Sequence, residues 1–241
     1  MMEEVLEYTI LAKYYDLFFS KTKDYKVEAL GIKKLVDKYK QTNGKELLDV
    51  ACGTGRHIQH LRKWYHCTGT DLNEDMLKLA RKNAKGISFK QADMLKLRMD
   101  MKFDVVTCLF SAIGYLQTYE NLDKAIKNFS RLTKKGGVLV IDGWFNKETW
   151  KDGYTLVQLK DFGKIKIVKA SYSWSKGMTS IFQTHWIITV DGKGIKHVLD
   201  TQKLALYEKN RFLKIMENNG FMAKAIKGPL IGRYRYIGVR S

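Results

Sequence analysis

Residues 45–58, KELLDVACGTGRHI, constrain the fold more than any other stretch. An apolar run through Leu47, Leu48 and Val50 ends in Ala51-Cys52-Gly53-Thr54-Gly55 and passes directly into a helical pattern. Buried strand, glycine-rich turn and helix start, in that order, open a βαβ unit, which requires a parallel partner strand. Gly53 and Gly55 let the backbone approach a ligand closely and adopt angles that side chains forbid. A dinucleotide-binding loop would place a third glycine on the helix, where this chain has Ile58. An acid, Asp49, stands at the head of the loop instead, and it suits the cationic end of a ligand better than a pyrophosphate.

The rest of the first 142 residues repeats the alternation. Helices are expected at 8–18 and 24–41, the second with a stripe of Val27, Leu30, Lys34, Leu35 and Tyr39. Strands follow at 66–71, 87–91, 103–109 and 138–142. Between them lie a helix at 74–84 capped by Asn73 and one at 120–133 stopped by a turn at Lys134-Lys135-Gly136-Gly137. Residues 153–204 then read as successive strands without helices, with turn signals at Ser175-Lys176-Gly177 and at Asp191-Gly192-Lys193-Gly194. A helix at 206–219 ends at Gly220, and strands at 221–227 and 234–239 close the chain. The expected fold is α/β: a doubly wound, mostly parallel seven-stranded sheet with an inserted antiparallel β meander. A core of 1–152 and 205–241 carries the insertion 153–204 as a lid or substrate region.

Two more acids fall in step with the loop. Asp71 closes the second strand 22 residues after Asp49, where a carboxylate can take both hydroxyls of a ribose. Asp93 follows the third strand in Gln91-Ala92-Asp93-Met94 and can accept from an exocyclic amine. Singly, each acid reads as a helix cap or solvated turn. In register at three strand ends they ask for an ammonium, a ribose and an adenine, which together describe S-adenosylmethionine.

These strings resemble class I S-adenosylmethionine-dependent methyltransferases, and LLDVACGTGRH is similar to that family's first motif. The likeness continues through KDY at 23–25, NEDML at 73–77, QADM at 91–94, FSAIGYL at 110–116, GWFNKETWKDGY at 143–154 and GRYRYIGV near the C-terminus. Over its whole length the chain is most similar to the amino-sugar N,N-dimethyltransferases that act on nucleotide-linked deoxysugars, which carry an antiparallel insertion over the active site. The resemblance implies a Rossmann-like methyltransferase fold. It implies that Asp49, Gly53 and Gly55 contact the methionine part, Asp71 the ribose, and Asp93 with Met94 the adenine, with Ala51 and Leu72 also binding the cofactor. Met76 and Phe110 complete that set. Tyr15 and Tyr25 sit where aromatics close over the cofactor in similar enzymes, and they read equally well as core aromatics. Ser111, Tyr115 and Arg233 fall on the acceptor side, where some relatives have histidine in place of Tyr115.

Methyl transfer from a sulfonium is an in-line displacement on an activated donor, so the protein supplies alignment and a desolvated pocket. An amine acceptor must be neutral to attack, and a neighbouring phenol or imidazole can orient it. Tyr115, Tyr8 and His185 are the catalytic candidates; His185 and His197 also read as structural histidines of the insertion. His57 reads as a support of the loop, and His60 and His66 show no metal-ligand spacing with a cysteine, so no metal is expected. The chain has one proline, Pro229. The proline-bearing loop of enzymes that methylate planar nucleobase amines is therefore missing after the fourth strand, as is the Pro-Cys nucleophile of cytosine-C5 enzymes. Cys108 reads as buried and inert.

Charge narrows the partner less than it first promises. Lys and Arg number 43 against 25 acids, a net +18, which points to nucleic acid, a membrane surface or a phosphorylated small molecule. The basic residues are dispersed: 151–203 has nine Lys against four Asp, and 204–241 has eight Lys and Arg against two Glu. No basic block or RNA-binding module stands out, so a small, phosphorylated acceptor fits better than nucleic acid. Arg233 and Arg235 are the phosphate candidates, since arginine offers a bidentate fork. Methylation of RNA or of another small metabolite at oxygen or nitrogen, and a nucleotide-binding module without catalysis, stay open. Three cysteines without a C-x-x-C pair, no evident signal peptide and no apolar run near the ~18 residues of a membrane helix point to a reduced, cytoplasmic protein. It is expected to be a monomer or homodimer.

Overall fold

The computed structural model describes residues 2–20, 23–228 and 231–241, with side chains from Leu11 onward. The elements run α1 (Met2–Ser20), α2 (Tyr25–Tyr39), β1 (Glu46–Val50), α3 (Arg56–Leu61), β2 (His66–Asp71), α4 (Glu74–Asn83), β3 (Ser88–Gln91) and β4 (Phe103–Cys108). A 3-10 turn (Ala112–Leu116), α5 (Tyr119–Leu132) and β5 (Thr133–Asp142) complete the first half. The second half holds β6 (Thr155–Asp161), β7 (Ile165–Lys176), β8 (Thr179–Val190), β9 (Gly194–Ala205), α6 (Lys209–Asn218), β10 (Phe221–Lys227) and β11 (Tyr234–Arg240).

The main sheet has seven strands in the order β10-β11-β5-β4-β1-β2-β3. Its first five strands by sequence pair in parallel, and β11 joins β5 antiparallel, Ile237 opposite Val140. Helices cover both faces, so the central strands are apolar on both sides. Leu48, Val106 and Leu139 face α5 and α6, whereas Leu47, Val105 and Val138 face α2, α3 and α4. The strand order changes direction beside β1, which places the ends of β1, β2 and β4 around one crevice. A second sheet of four antiparallel strands, β6-β7-β8-β9, is inserted between β5 and α6. Its inner face docks on α1 through Phe18 and Trp186, whose rings meet edge-on at 5.4 Å. Among the described residues no helix is long and apolar enough to cross a membrane.

The expected fold class holds, with local corrections. In α2 the buried face is Ala29, Ile32 and Val36, whereas Val27 and Leu30 are 63% and 43% exposed. Positions 29, 32 and 36 share one helical side, and the longer aliphatics at 27 and 30 point elsewhere. The segment Lys134–Gly137 is a bulge within β5: Phe103 pairs with Thr133 and Val105 with Val138, so β5 carries surplus residues there. Gly136, at φ +73°, makes that detour possible. Helix α6 starts at 209 because the Glu208 carboxylate accepts from the amides of Asn210 and Arg211. The second sheet has a third turn, at 162–164, where Gly163 takes a φ of +75°.

Candidate functional site

The glycine-rich loop is positioned by the end of β1. Asp49 is 1% exposed, and its Oδ1 accepts from the Thr107 hydroxyl at 2.7 Å. No cation pairs with it among the described residues. Burial, reinforced by Asp71 and Asp142, pushes its carboxyl up to about 7. Ala51, directly after β1, has φ +55° despite its side chain, and Gly53 follows at the same angle. A Cβ built on Gly53 would meet nothing within 4 Å, so the loop presents bare backbone to open space. Gly55 differs: its Cβ would lie 3.1 Å from that of Ala80, so this glycine permits close packing of the loop on α4.

Asp71 is oriented by backbone. Its Oδ2 accepts from the Gly53 amide at 2.7 Å and its Oδ1 from the Asn73 amide at 2.9 Å. Burial raises its pKa although these bonds oppose the shift. Leu72 beside it is 62% exposed. Met76 is buried at the first turn of α4, below Asn73. Asp93 accepts from the Leu95 amide at 2.9 Å, and the Met94 carbonyl accepts from Asn128. Asp93 thus holds a turn rather than a helix end, and it does so just past the end of β3.

The other wall of the crevice follows β4. Phe110 and Ser111 both have positive φ, +54° and +63°, as does Ala51 across the crevice. Non-glycine residues held in this region cluster where a ligand approaches. The Phe110 amide donates to Asp142 Oδ2, and the other Asp142 oxygen pairs with Arg235 Nε at 2.6 Å. Lys23 lies 3.8 Å over the Phe110 ring and pairs with Glu28 at 2.8 Å. Glu28 also bonds His57 Nε2, so His57 ties α3 to α2 and supports the loop. A small cavity between Lys23, Phe110, Ser111, Asp142 and Arg233 adjoins these contacts.

Arg233 is held flat. Its guanidinium lies 3.9 Å from the Trp144 ring and 4.5 Å from Phe145, and Nη1 donates to the Ser111 hydroxyl at 3.3 Å. Its buried Nε has no partner, and burial lowers its pKa to about 10. The Ser111 hydroxyl donates to the Gly143 carbonyl, so Ser111 is buried and fixes Arg233. Arg235, the other phosphate candidate, is engaged by Asp142 and 7% exposed; it serves the scaffold.

Tyr15 on α1 is the meeting point of the walls. Burial raises its pKa well above the usual phenol, reinforced by Tyr115, Tyr25, Asp200 and Asp71. Tyr115, on the 3-10 turn, is 43% exposed. Tyr25 packs edge-on against His57 at 5.0 Å. The structure therefore brings Tyr15, Tyr25, Asp49, Asp71, Phe110, Ser111, Tyr115 and Arg233 around one crevice. It does not bring His185 there. His185 is exposed on the outer face of the second sheet, stacked on His197 with the ring nitrogens 2.9 Å apart. Period-two alternation puts its neighbours Thr184 and Trp186 on the inner face. The Tyr8 side chain lies outside the described residues.

Sequence reasoning missed Asp142, Lys23, Trp144 and the inner-face pair Lys169 and Asp200. Asp142 ends an apolar strand, a signal of the kind that identified Asp71. The others are single residues whose roles come from partners far away in the chain.

Residues 47–137 match the model of a methyltransferase domain family. The chain is 34% identical, over 95% of its length and 97% of the relative, to a dTDP-3-amino-3,4,6-trideoxy-alpha-D-glucopyranose N,N-dimethyltransferase of Streptomyces venezuelae. Its fold superposes on the crystal structure of Streptomyces venezuelae DesVI with a TM-score of 0.90, at 33% identity over 95% of this chain and 98% of that one. It also matches SAM-bound CalS10, an amino pentose methyltransferase from Micromonospora echinaspora, with a TM-score of 0.86, at 27% identity over 95% of this chain and 96% of that one.

Proposed function

The chain belongs to the S-adenosylmethionine-dependent methyltransferases, in the family of the nucleotide-amino-sugar N,N-dimethyltransferases, and we propose that it methylates the amine of a nucleotide-linked deoxysugar. The cofactor supplies a methyl group already activated on a sulfonium. The residues fit that cationic group: Asp49 is a buried carboxylate that no cation pairs with among the described residues, and the bare backbone of Gly53 faces open space. Asp49, with Ala51, Gly53 and Gly55, would hold the methionine part. Asp71 and Leu72 would hold the ribose, and Asp93, Met94 and Met76 the adenine side. Tyr15, Tyr25 and Phe110 would close the crevice against water.

The single observation that carries the acceptor assignment is Arg233. A guanidinium packed against one indole and one phenyl ring, with a buried unpaired Nε, is a fork awaiting an oxyanion. A sugar diphosphate supplies one. Ser111 holds Arg233 in place and Asp142 holds the Phe110 amide, so both position the acceptor wall. The phenol of Tyr15 stays protonated at neutral pH, which suits it to orient a neutral amine by hydrogen bonding rather than to remove its proton. Tyr115, more exposed, lies where the acceptor nitrogen can release its proton to solvent. The second sheet, residues 153–204, acts as the lid over this acceptor. Three free, buried cysteines suit a cytoplasmic setting.

The test is incubation with S-adenosylmethionine and dTDP-3-amino-3,4,6-trideoxyglucose, read by mass spectrometry. One and then two methyl groups are expected on the sugar amine. Cofactor binding by calorimetry without methyl gain on any dTDP-amino sugar would refute the acceptor class while leaving the methyltransferase family intact.

A further inference from the structure

Lys169 lies on the inner face of β7 and is only 9% exposed. Its ammonium sits inside four aromatic rings: 5.5 Å from Phe19, Phe182 and Trp186, and 6.0 Å from Phe18. Cation–π attraction to such a cage is favourable, yet it satisfies none of the three N–H donors. Among the described residues no oxygen accepts a hydrogen bond from Lys169. Burial lowers its pKa, partly offset by the nearby charge of Asp200 on β9. A buried lysine is normally paired, because an unpaired ammonium is costly to desolvate.

The cage adjoins the acceptor wall. Phe19 packs edge-on against Phe110 at 5.6 Å, and Phe110 precedes the Ser111 that fixes Arg233. The charge of Asp200 acts on both Lys169 and Tyr15, and Tyr15 also feels Tyr115 and Asp71. Lys169 is therefore a buried cation of the inserted sheet that sits one ring away from Phe110. Asp200 accepts from Gln202 at 2.9 Å, so the ammonium is the donor of the pair, and it suits a hydroxyl oxygen.

We propose that Lys169 is an acceptor-binding residue whose caged ammonium donates to a hydroxyl oxygen of the sugar, leaving the diphosphate to Arg233. The inference rests on the acceptor class proposed above. Lys169→Met keeps the volume and the apolar contacts of the cage but removes the donors, and Lys169→Gln keeps a shorter donor. For Lys169→Met the expected result is a KM for the dTDP-amino sugar raised about 10- to 100-fold, the loss expected for one charged hydrogen bond. The change in kcat should be small, and affinity for S-adenosylmethionine and for free dTDP should be unchanged. Lys169→Gln should fall between Lys169→Met and the parent. The pair dTDP-3-amino-3,6-dideoxyglucose and its 4-deoxy counterpart locates the contact: a defect confined to the first identifies the 4-hydroxyl.

An unchanged KM in Lys169→Met, with only the melting temperature shifted, would make Lys169 purely structural and overturn the proposal. A parallel loss of free dTDP affinity would assign the ammonium to phosphate and overturn it equally. Parent protein that binds the cofactor but neither binds nor methylates any dTDP-amino sugar would remove the acceptor class itself. If Lys169→Met loses cofactor affinity and melts early, Lys169→Gln decides the matter by the same readouts.

Discussion

At the scale of single residues, Asp49 shows how a site is built against its own stability. Its folded pKa, about 7, lies above the usual value of 3.8 because the carboxylate is buried beside other acids. The neutral form is therefore favoured in the ligand-free protein. Its contribution to stability is present below about pH 4 and is lost as pH rises through the folded pKa. A cationic ligand reverses the preference. Affinity for S-adenosylmethionine is expected to rise between about pH 6 and pH 8, while the ligand-free melting temperature falls over the same window. Asp49→Asn should flatten both profiles and weaken binding at pH 8, since the amide keeps a bond to Thr107 without the charge. Calorimetry and melting across this range check it; parallel profiles for parent and variant would place the titration elsewhere. Asp49, Asp71 and the two glycines were legible in sequence because they follow one strand end each at fixed spacing. Lys169 and Asp142 were not, because their partners come from elements far apart in the chain.

At the scale of elements, glycines with the same sequence appearance do different work. Gly55 combines φ +72° with a Cβ position 3.1 Å from Ala80 and 3.3 Å from Phe89, so it sets how closely the loop packs on α4 and β3. Gly31 lies within α2 with nothing within 4 Å of its Cβ position. Gly55→Ala is expected to cost about 1–2 kcal/mol from backbone strain alone, or roughly 2–8 °C in melting temperature. Gly31→Ala should stabilise by about 0.5–1 kcal/mol, as expected for alanine in a helix interior. Thermal melts of the two variants should therefore move in opposite directions, and movement in the same direction would contradict this account. The elements themselves were largely legible: β2 runs from 66 to 71 and α4 is capped by Asn73, as the spacing implied. The stripe of α2 was misread because a helix face is chosen by its neighbour. Here small Ala29 packs inward while larger Val27 remains in water.

At the scale of the whole molecule, the net charge of +18 and the site have opposite signs. Asp49, Asp71, Asp93 and Asp142 stand at the ends of strands around the crevice, whereas lysines are dispersed over helices and the inserted sheet. Filling the crevice with a cation should relieve the clustered acids and tighten the whole fold. At a ligand concentration of 100 times Kd, S-adenosylmethionine is expected to add about 2.7 kcal/mol, or roughly 5–10 °C in melting temperature for a chain of this size. An unmoved transition at saturation would show that binding and folding are not linked through this crevice. The sequence by itself determined the alternation of strands and helices, the glycine-rich loop and the acids at the strand ends, because each depends on local spacing and on which residues tolerate which backbone angles. Only the tertiary structure decided that His185 faces outward, that Ser111 fixes Arg233, and that Lys169 is caged beside the acceptor wall. Those outcomes depend on how the inserted sheet docks against α1, a packing of surfaces distant in the chain that no local pattern encodes.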